Sequence, residues 1–196
     1  MSLAMLIIGL ALFLGVHAFT MQRRVRGRLM ARIGEGPYRG LYSLVSITGL
    51  VLIIYGYGAY RSSGMIPLWN PPAFLRHITF LLMLIAFVLL AATYPPSHIK
   101  RWVRHPMITA VILWSVGHLL VRGDLGSVLM FGGFLLWGIL ARVSMERRAR
   151  EAAPSAAVMQ REPRWQTDLM VVAVGIVAYF AFVIWGHPWL IGVPLV

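Results

Sequence analysis

Six stretches of mainly apolar residues, at 2–21, 41–60, 73–94, 106–121, 125–141 and 168–190, take up most of this sequence. Each is near the ~20 residues that carry a helix across the hydrocarbon core of a bilayer, the fourth and fifth being somewhat short. Hydrophobic residues make up 59% of the 196, against about 45–50% in an average soluble domain, more apolar surface than one globular core can bury. The expected fold is therefore all-α, a polytopic membrane bundle of about six transmembrane helices.

Punctuation places the helix ends. Asn70-Pro71-Pro72 opens the third helix and Pro95-Pro96 closes it, Pro106 starts the fourth, and Thr167-Asp168 starts the sixth. Arg122-Gly123-Asp124 splits the fourth from the fifth, as in an antiparallel hairpin or two re-entrant halves. Met1 to Phe19 lacks a basic leader and a small-residue cleavage site, so it reads as a retained first helix.

The net charge of +12 comes from 18 Lys and Arg against 6 acids. Such a balance raises nucleic acid as a partner, but these cations sit in short segments between apolar runs, where they act as topology signals. Arg23, Arg24, Arg26, Arg28, Arg32 and Arg39 fall in the first connection, Lys100, Arg101 and Arg104 in the third, and Arg142, Arg147, Arg148, Arg150, Arg161 and Arg164 in the fifth, which is 15 of 18 on one side. Both termini are then non-cytoplasmic, in a multi-pass membrane protein. Residues 1–150 form a five-helix domain, 151–167 a cytoplasmic linker around Ala152-Ala153-Pro154-Ser155-Ala156-Ala157, and 168–196 the sixth helix and tail.

Chemistry has few places to reside. The chain has no cysteine, which excludes disulfides and thiolate-ligated metals. All six acids lie in connections or at helix ends, so neither paired-carboxylate catalysis nor an ion relay at membrane depth is indicated. Histidines remain: His17, His77, His98, His105, His118 and His187. Two neutral imidazoles on facing helices suit a b-type haem, whose iron takes one axial nitrogen from each face. The plainer role for any one of them is a hydrogen bond to a backbone carbonyl or serine in a packed bundle.

Ser115 lies three residues before His118, and Val111 and Trp114 share its helical face. Trp114, Gly117 and Gly138 suit a flat wall for a planar ligand, although Gly132, Gly133 and Gly138 also serve as close-packing positions between helices. Arg104-His105-Pro106 stands at a cytoplasmic helix start, where N–H groups and the positive dipole end suit an anionic headgroup or cofactor carboxylate. Its plainer role is a basic cap followed by proline in the first turn.

Four segments in order, Leu12-Phe13-Leu14-Gly15-Val16-His17, Arg32-Ile33-Gly34-Glu35-Gly36-Pro37-Tyr38-Arg39-Gly40-Leu41-Tyr42-Ser43, Arg104-His105-Pro106-Met107 and Trp114-Ser115-Val116-Gly117-His118-Leu119, give a resemblance to the NnrU family of bacterial membrane proteins along nearly the whole of the first 150 residues. That resemblance implies a place in the bacterial inner membrane, a link to denitrification through nitrite and nitric oxide reduction, and a membrane partner protein. The same domain occurs in zeta-carotene isomerase, a haem b enzyme that isomerises a cis double bond of a carotenoid, so a polyene or other hydrophobic lipid is the implied substrate if this chain is an isomerase. The implied axial ligands are His17 and His118. The isomerase's alternative cysteine ligand falls on Ser115, so exchange of imidazole for thiolate is unavailable here. On the topology above, the two histidines differ in depth by about 10–15 Å at 1.5 Å per residue, and His105 and His77 are the depth-compatible substitutes for one or the other.

A fainter resemblance joins Arg104-His105-Pro106-Met107 to Glu146-Arg147-Arg148 and is similar to the isoprenylcysteine and phospholipid methyltransferases, which bind S-adenosylmethionine there. This chain has Ile108-Thr109-Ala110 where Tyr and Gly usually follow, and one acid where a pair is usual. An accessory protein without cofactor, its histidines purely structural, is the remaining class.

Overall fold

The computed structural model describes residues 2–151 and 162–195, and among these it is helical throughout, with no strand. In chain order the helices are α1 (Ser2–Phe19), α2 (Arg23–Ile33), α3 (Glu35–Ser62), α4 (Leu75–Ala91), α5 (His98–Val103), α6 (Pro106–Val121), α7 (Leu125–Glu151), α8 (Trp165–Ala181) and α9 (His187–Ile191), with a π-helical turn at Phe182–Gly186 that runs α8 into α9. Four helices are long and apolar enough to cross a membrane: Ser2–Phe19, Glu35–Ser62, Leu125–Glu151 and Trp165–Ile191. Leu75–Ala91 and Pro106–Val121 are apolar but shorter, at 17 and 16 residues. Large side chains such as Leu44, Ile54, Leu136, Leu169 and Val177 stand more than half exposed, a surface suited to lipid rather than water.

Two expected boundaries move. The first connection is not a loop: its arginines lie on α2 and on the first turn of α3, where Arg39 pairs with Glu35 one turn back. Val25, Leu29 and Ile33 recur at four-residue spacing among them, which makes α2 amphipathic. Likewise α7 runs on to Glu151, because Met145 to Glu151 is rich in strong helix formers. Of the linker expected at 151–167, Glu151 ends α7 and Trp165 to Thr167 open α8, while 152–161 lies outside the described residues.

The chain divides into two compact units, residues 1–71 with 122–144, and residues 72–121 with 145–196. In the first, α1 and α3 are antiparallel and meet backbone to backbone. A Cβ on Gly49 would stand 2.7 Å from the Phe13 nitrogen, and one on Gly9 2.7 Å from the Ile53 nitrogen. Leu6 packs over Gly56 in the same register. The first part of α7 joins them through side chains: Tyr60 covers Gly126, Tyr57 Oη is 2.7 Å from Ser127 Oγ, and Phe13 meets Phe134. Asp124 caps α7, accepting from the Ser127 nitrogen at 2.9 Å and from its hydroxyl at 2.6 Å. The break before α7 is held by the 66–69 segment, whose Leu68 and Trp69 nitrogens donate to the Gly123 carbonyl. No side chain fits at Gly123, because a Cβ there would strike the Trp69 carbonyl.

In the second unit, α4 lies between α6 and α8. Thr79 donates from its hydroxyl to the Gly117 carbonyl at 2.8 Å, and Ala86, Leu89 and Ala110 form a small core with Ile99, Val103 and Leu113 against it. On the other side of α4, Phe87 packs edge-on to Tyr179 and Val88 sits over Gly175. Ser97, fully buried, caps α5 through the Lys100 nitrogen.

Candidate functional site

His17 lies in the last turn of α1, at the arginine-rich end of the first unit. Its Nδ1 is 2.6 Å from the carbonyl of Phe13, four residues back. A carbonyl only accepts, so Nδ1 carries the proton and the Nε2 of the neutral ring holds a lone pair. Three rings from three helices fix that plane: Phe13 at 4.2 Å, Tyr42 at 5.5 Å and the edge-on Trp137 at 5.8 Å. The Trp137 Nε1 is buried without a hydrogen-bond partner among the described residues.

His118 repeats the arrangement in the second unit. Its Nδ1 is 2.8 Å from the carbonyl of Trp114, also four residues back, and the two rings are 5.2 Å apart. Ser115 is fully buried, and its hydroxyl has no hydrogen-bond partner among the described residues. Gly117, expected as part of a flat wall, instead faces α4: a Cβ there would meet the Met83 terminus at 2.7 Å. Of the other glycines, Gly133 lies against Leu14, whereas Gly132 has open space beside it.

Both histidines thus have the proton placement of a metal-bound imidazole, in which the non-ligating nitrogen donates to a carbonyl and so sets the ring's tautomer and direction. Imidazole nitrogen is one of the ligands by which a protein would hold a haem iron. No group of three or more His, Asp or Glu gathers anywhere among the described residues, so a many-ligand metal centre of that kind is not formed there.

The remaining sequence candidates fall elsewhere. His77 is exposed at the start of α4. His105 caps α6, its carbonyl accepting from both the nitrogen and the hydroxyl of Thr109. Arg104 adopts φ +63°, and the His105 nitrogen reaches back 2.8 Å to the Val103 carbonyl, a tight three-residue turn that breaks α5 from α6. That turn aims the Arg104 guanidinium at Glu146, 3.1 Å away. A groove of about 720 Å³ beside it is lined by Tyr94, Ser97, Lys100, Arg101, Arg104 and Glu162.

Sequence reasoning missed the pair of His98 and Asp168. The Asp168 carboxylate, buried in the first turn of α8, accepts from His98 Nδ1 at 2.6 Å and from the Ile99 nitrogen at 3.1 Å. His98 also stacks on Trp165 at 4.3 Å. The partners are 70 residues apart, so no local pattern announces them; the one available signal was a histidine and an acid both standing at ends of apolar helices.

No curated protein and no solved structure matches the chain. The family model described as NnrU protein matches residues 5–195, through to the last helix, and the chain belongs to the NnrU family.

Proposed function

We propose that this chain is a six-span inner-membrane haem b protein that serves nitrogen-oxide reduction, in which His17 and His118 would hold the iron. The observation behind it is the shared state of the two imidazoles: each gives its Nδ1 proton to the carbonyl four residues back, the tautomer and tether that a metal-ligating histidine has. What the group would supply is one-electron exchange. The chain's own part is to orient the rings, and the Phe13, Tyr42 and Trp137 rings do so for His17. The buried, unpartnered hydroxyl of Ser115, one turn from His118, further supports a ligand at that end of α6. Helices α4 and α6 count as spans here, since at 1.5 Å per residue each covers about 25 Å and modest thinning of a ~30 Å core closes the rest.

The test is the reduced-minus-oxidised spectrum of purified protein in detergent, expressed with ample haem. A Soret band near one haem per chain, lost in both His17→Ala and His118→Ala while the folded yield holds, is the expected result. Absence of the band from the wild type, or its survival in both variants, overturns the assignment. Methyl transfer from S-adenosylmethionine is the second reading, favoured by the Arg104–Glu146 ion pair, which joins the two separated pieces of that resemblance. Binding of S-adenosylmethionine by a colourless protein would select it.

A further inference from the structure

At the arginine-rich end of the first unit, α2 folds back along α1 and α3 about a single residue. Gly34, at φ +87° and ψ 158°, ends α2 and starts α3, and its carbonyl accepts from the Tyr38 nitrogen. Few residues but glycine adopt that conformation. Between the three helices is a cavity of about 180 Å³, lined by Val16, Phe19, Leu29, Tyr38, Tyr42 and Val45, with Leu41 at its edge. Its size exceeds the about 150 Å³ of an engineered apolar cavity that takes up benzene, so a short run of methylenes fits.

Two polar donors accompany this apolar space: Tyr38, which lines it, and Arg26, whose guanidinium packs against the Tyr38 ring. Tyr38 is 6% exposed, and its hydroxyl has no hydrogen-bond partner among the described residues. The Nε of Arg26 is buried and equally without a partner, while its guanidinium lies 5.7 Å from the Tyr38 ring. The other arginines of α2, Arg23, Arg24, Arg28 and Arg32, are exposed, so Arg26 alone is turned inward. A buried N–H and O–H left unsatisfied together are costly unless an acceptor arrives. An acceptor with negative charge suits a helix carrying five arginines in 11 residues.

We infer that the cleft between α1, α2 and α3 is a binding site for an anionic phospholipid, one acyl chain entering the cavity past Val16, Phe19 and Val45 while the phosphate takes hydrogen bonds from Arg26 and Tyr38. A chain alone would explain the cavity but leave both donors unpaired; an inorganic anion alone would explain the donors but leave the cavity empty. A membrane lipid satisfies both, and α2 is placed as an interfacial helix whose apolar residues Val25 and Leu29 and basic face meet an anionic leaflet. The site shares Tyr42 with the surroundings of His17, but lipid binding there does not require His17 to ligate iron.

Native mass spectrometry of the full chain in detergent, with added phosphatidylglycerol or phosphatidylcholine, tests it. The wild type is expected to retain one phosphatidylglycerol and to prefer it over phosphatidylcholine. Arg26→Gln should lower that retention about tenfold, the loss of one charge-assisted hydrogen bond, whereas Arg23→Gln, on the exposed face, should change it less than about twofold. Tyr38→Phe removes one oxygen without touching the fold and should lower retention by a smaller factor. Val45→Trp, filling the cavity, should abolish it at unchanged melting temperature. Equal effects of Arg23→Gln and Arg26→Gln would reduce the site to surface charge and overturn the inference. So would undiminished lipid in both Tyr38→Phe and Val45→Trp, or lipid unaffected by Arg26→Gln while haem content falls, which would give the two donors to haem carboxylates instead.

Discussion

In the first unit α1 and α3 meet through their backbones along three glycines, whereas in the second α4 holds α6 mainly through side chains and meets α8 at backbone distance at Gly175. Gly9, Gly49 and Gly56 let the first pair approach until no Cβ fits between them. The α4–α6 pair relies on the Thr79 hydroxyl and on Ala86, Leu89 and Ala110, while α8 is held by the Gly175 approach to Val88 and by the Asp168 clamp to α5. Within lipid there is no hydrophobic drive between helices, so packing and interhelical hydrogen bonds decide association. Backbone contact gives rigidity with no room for adjustment; side-chain contact tolerates substitution but depends on each polar partner. His17 stands on the rigid pair, where three rings can hold one imidazole plane.

The largest predicted effect tests the backbone seam. Gly49→Val drives two methyl groups into the Phe13 backbone and should cost about 3 kcal/mol or more, at the upper end of overpacking. The expected result is loss of monodisperse protein on size exclusion in mild detergent. Gly58→Ala on the same helix faces open space and should be neutral or stabilising by up to about 1 kcal/mol. If both variants behave alike, close approach is not what holds α1 to α3.

Much of this division was open to sequence reasoning and some was not. The apolar stretches and their Pro and Gly punctuation place most helix ends to within a few residues, because lipid imposes length and proline imposes breaks. Helix α2 escaped because its arginines were read as topology signals, although Val25, Leu29 and Ile33 carry the helical period between them. The surroundings of His17 were out of reach for a different reason. Its carbonyl bond to Phe13 lies within one helix, while Tyr42 and Trp137 come from 25 and 120 residues further along the chain (42 − 17 and 137 − 17). Ser115 was singled out for its place beside His118, but its complete burial without a partner is a property of packing alone.

The clamp between α5 and α8 should give the next effect. Asp168→Ala strands the His98 and Ile99 donors together, at about 2 kcal/mol for the unsatisfied groups. Unfolding would be followed by tryptophan fluorescence, since His98 stacks on Trp165, and loosening of that stack should change emission before global unfolding. A local change without loss of the α4–α6 core would sharpen the contrast, showing that side-chain seams fail one at a time. Simultaneous collapse of the whole protein would break it.

The smallest effect belongs to Thr79→Val, which keeps the shape of the side chain and removes only the hydroxyl. That hydroxyl donates to the Gly117 carbonyl at 2.8 Å and to its own Leu75 carbonyl at 3.1 Å. Both acceptors lie within helices, where backbone N–H groups can satisfy them, so no buried carbonyl is orphaned by the change. The retained methyl group still faces Gly117, so no cavity forms. What is lost is one interhelical bond, worth about 0.6 kcal/mol in comparable membrane bundles, and the melting temperature should fall by about 1–2 °C for a chain of this size. Thr79→Ala, which also removes the methyl, should cost more than Thr79→Val through the space it leaves. If Thr79→Val proved as damaging as Gly49→Val, the α4–α6 seam would be no more tolerant than α1–α3, and the contrast between the units would have to rest on the histidine surroundings instead.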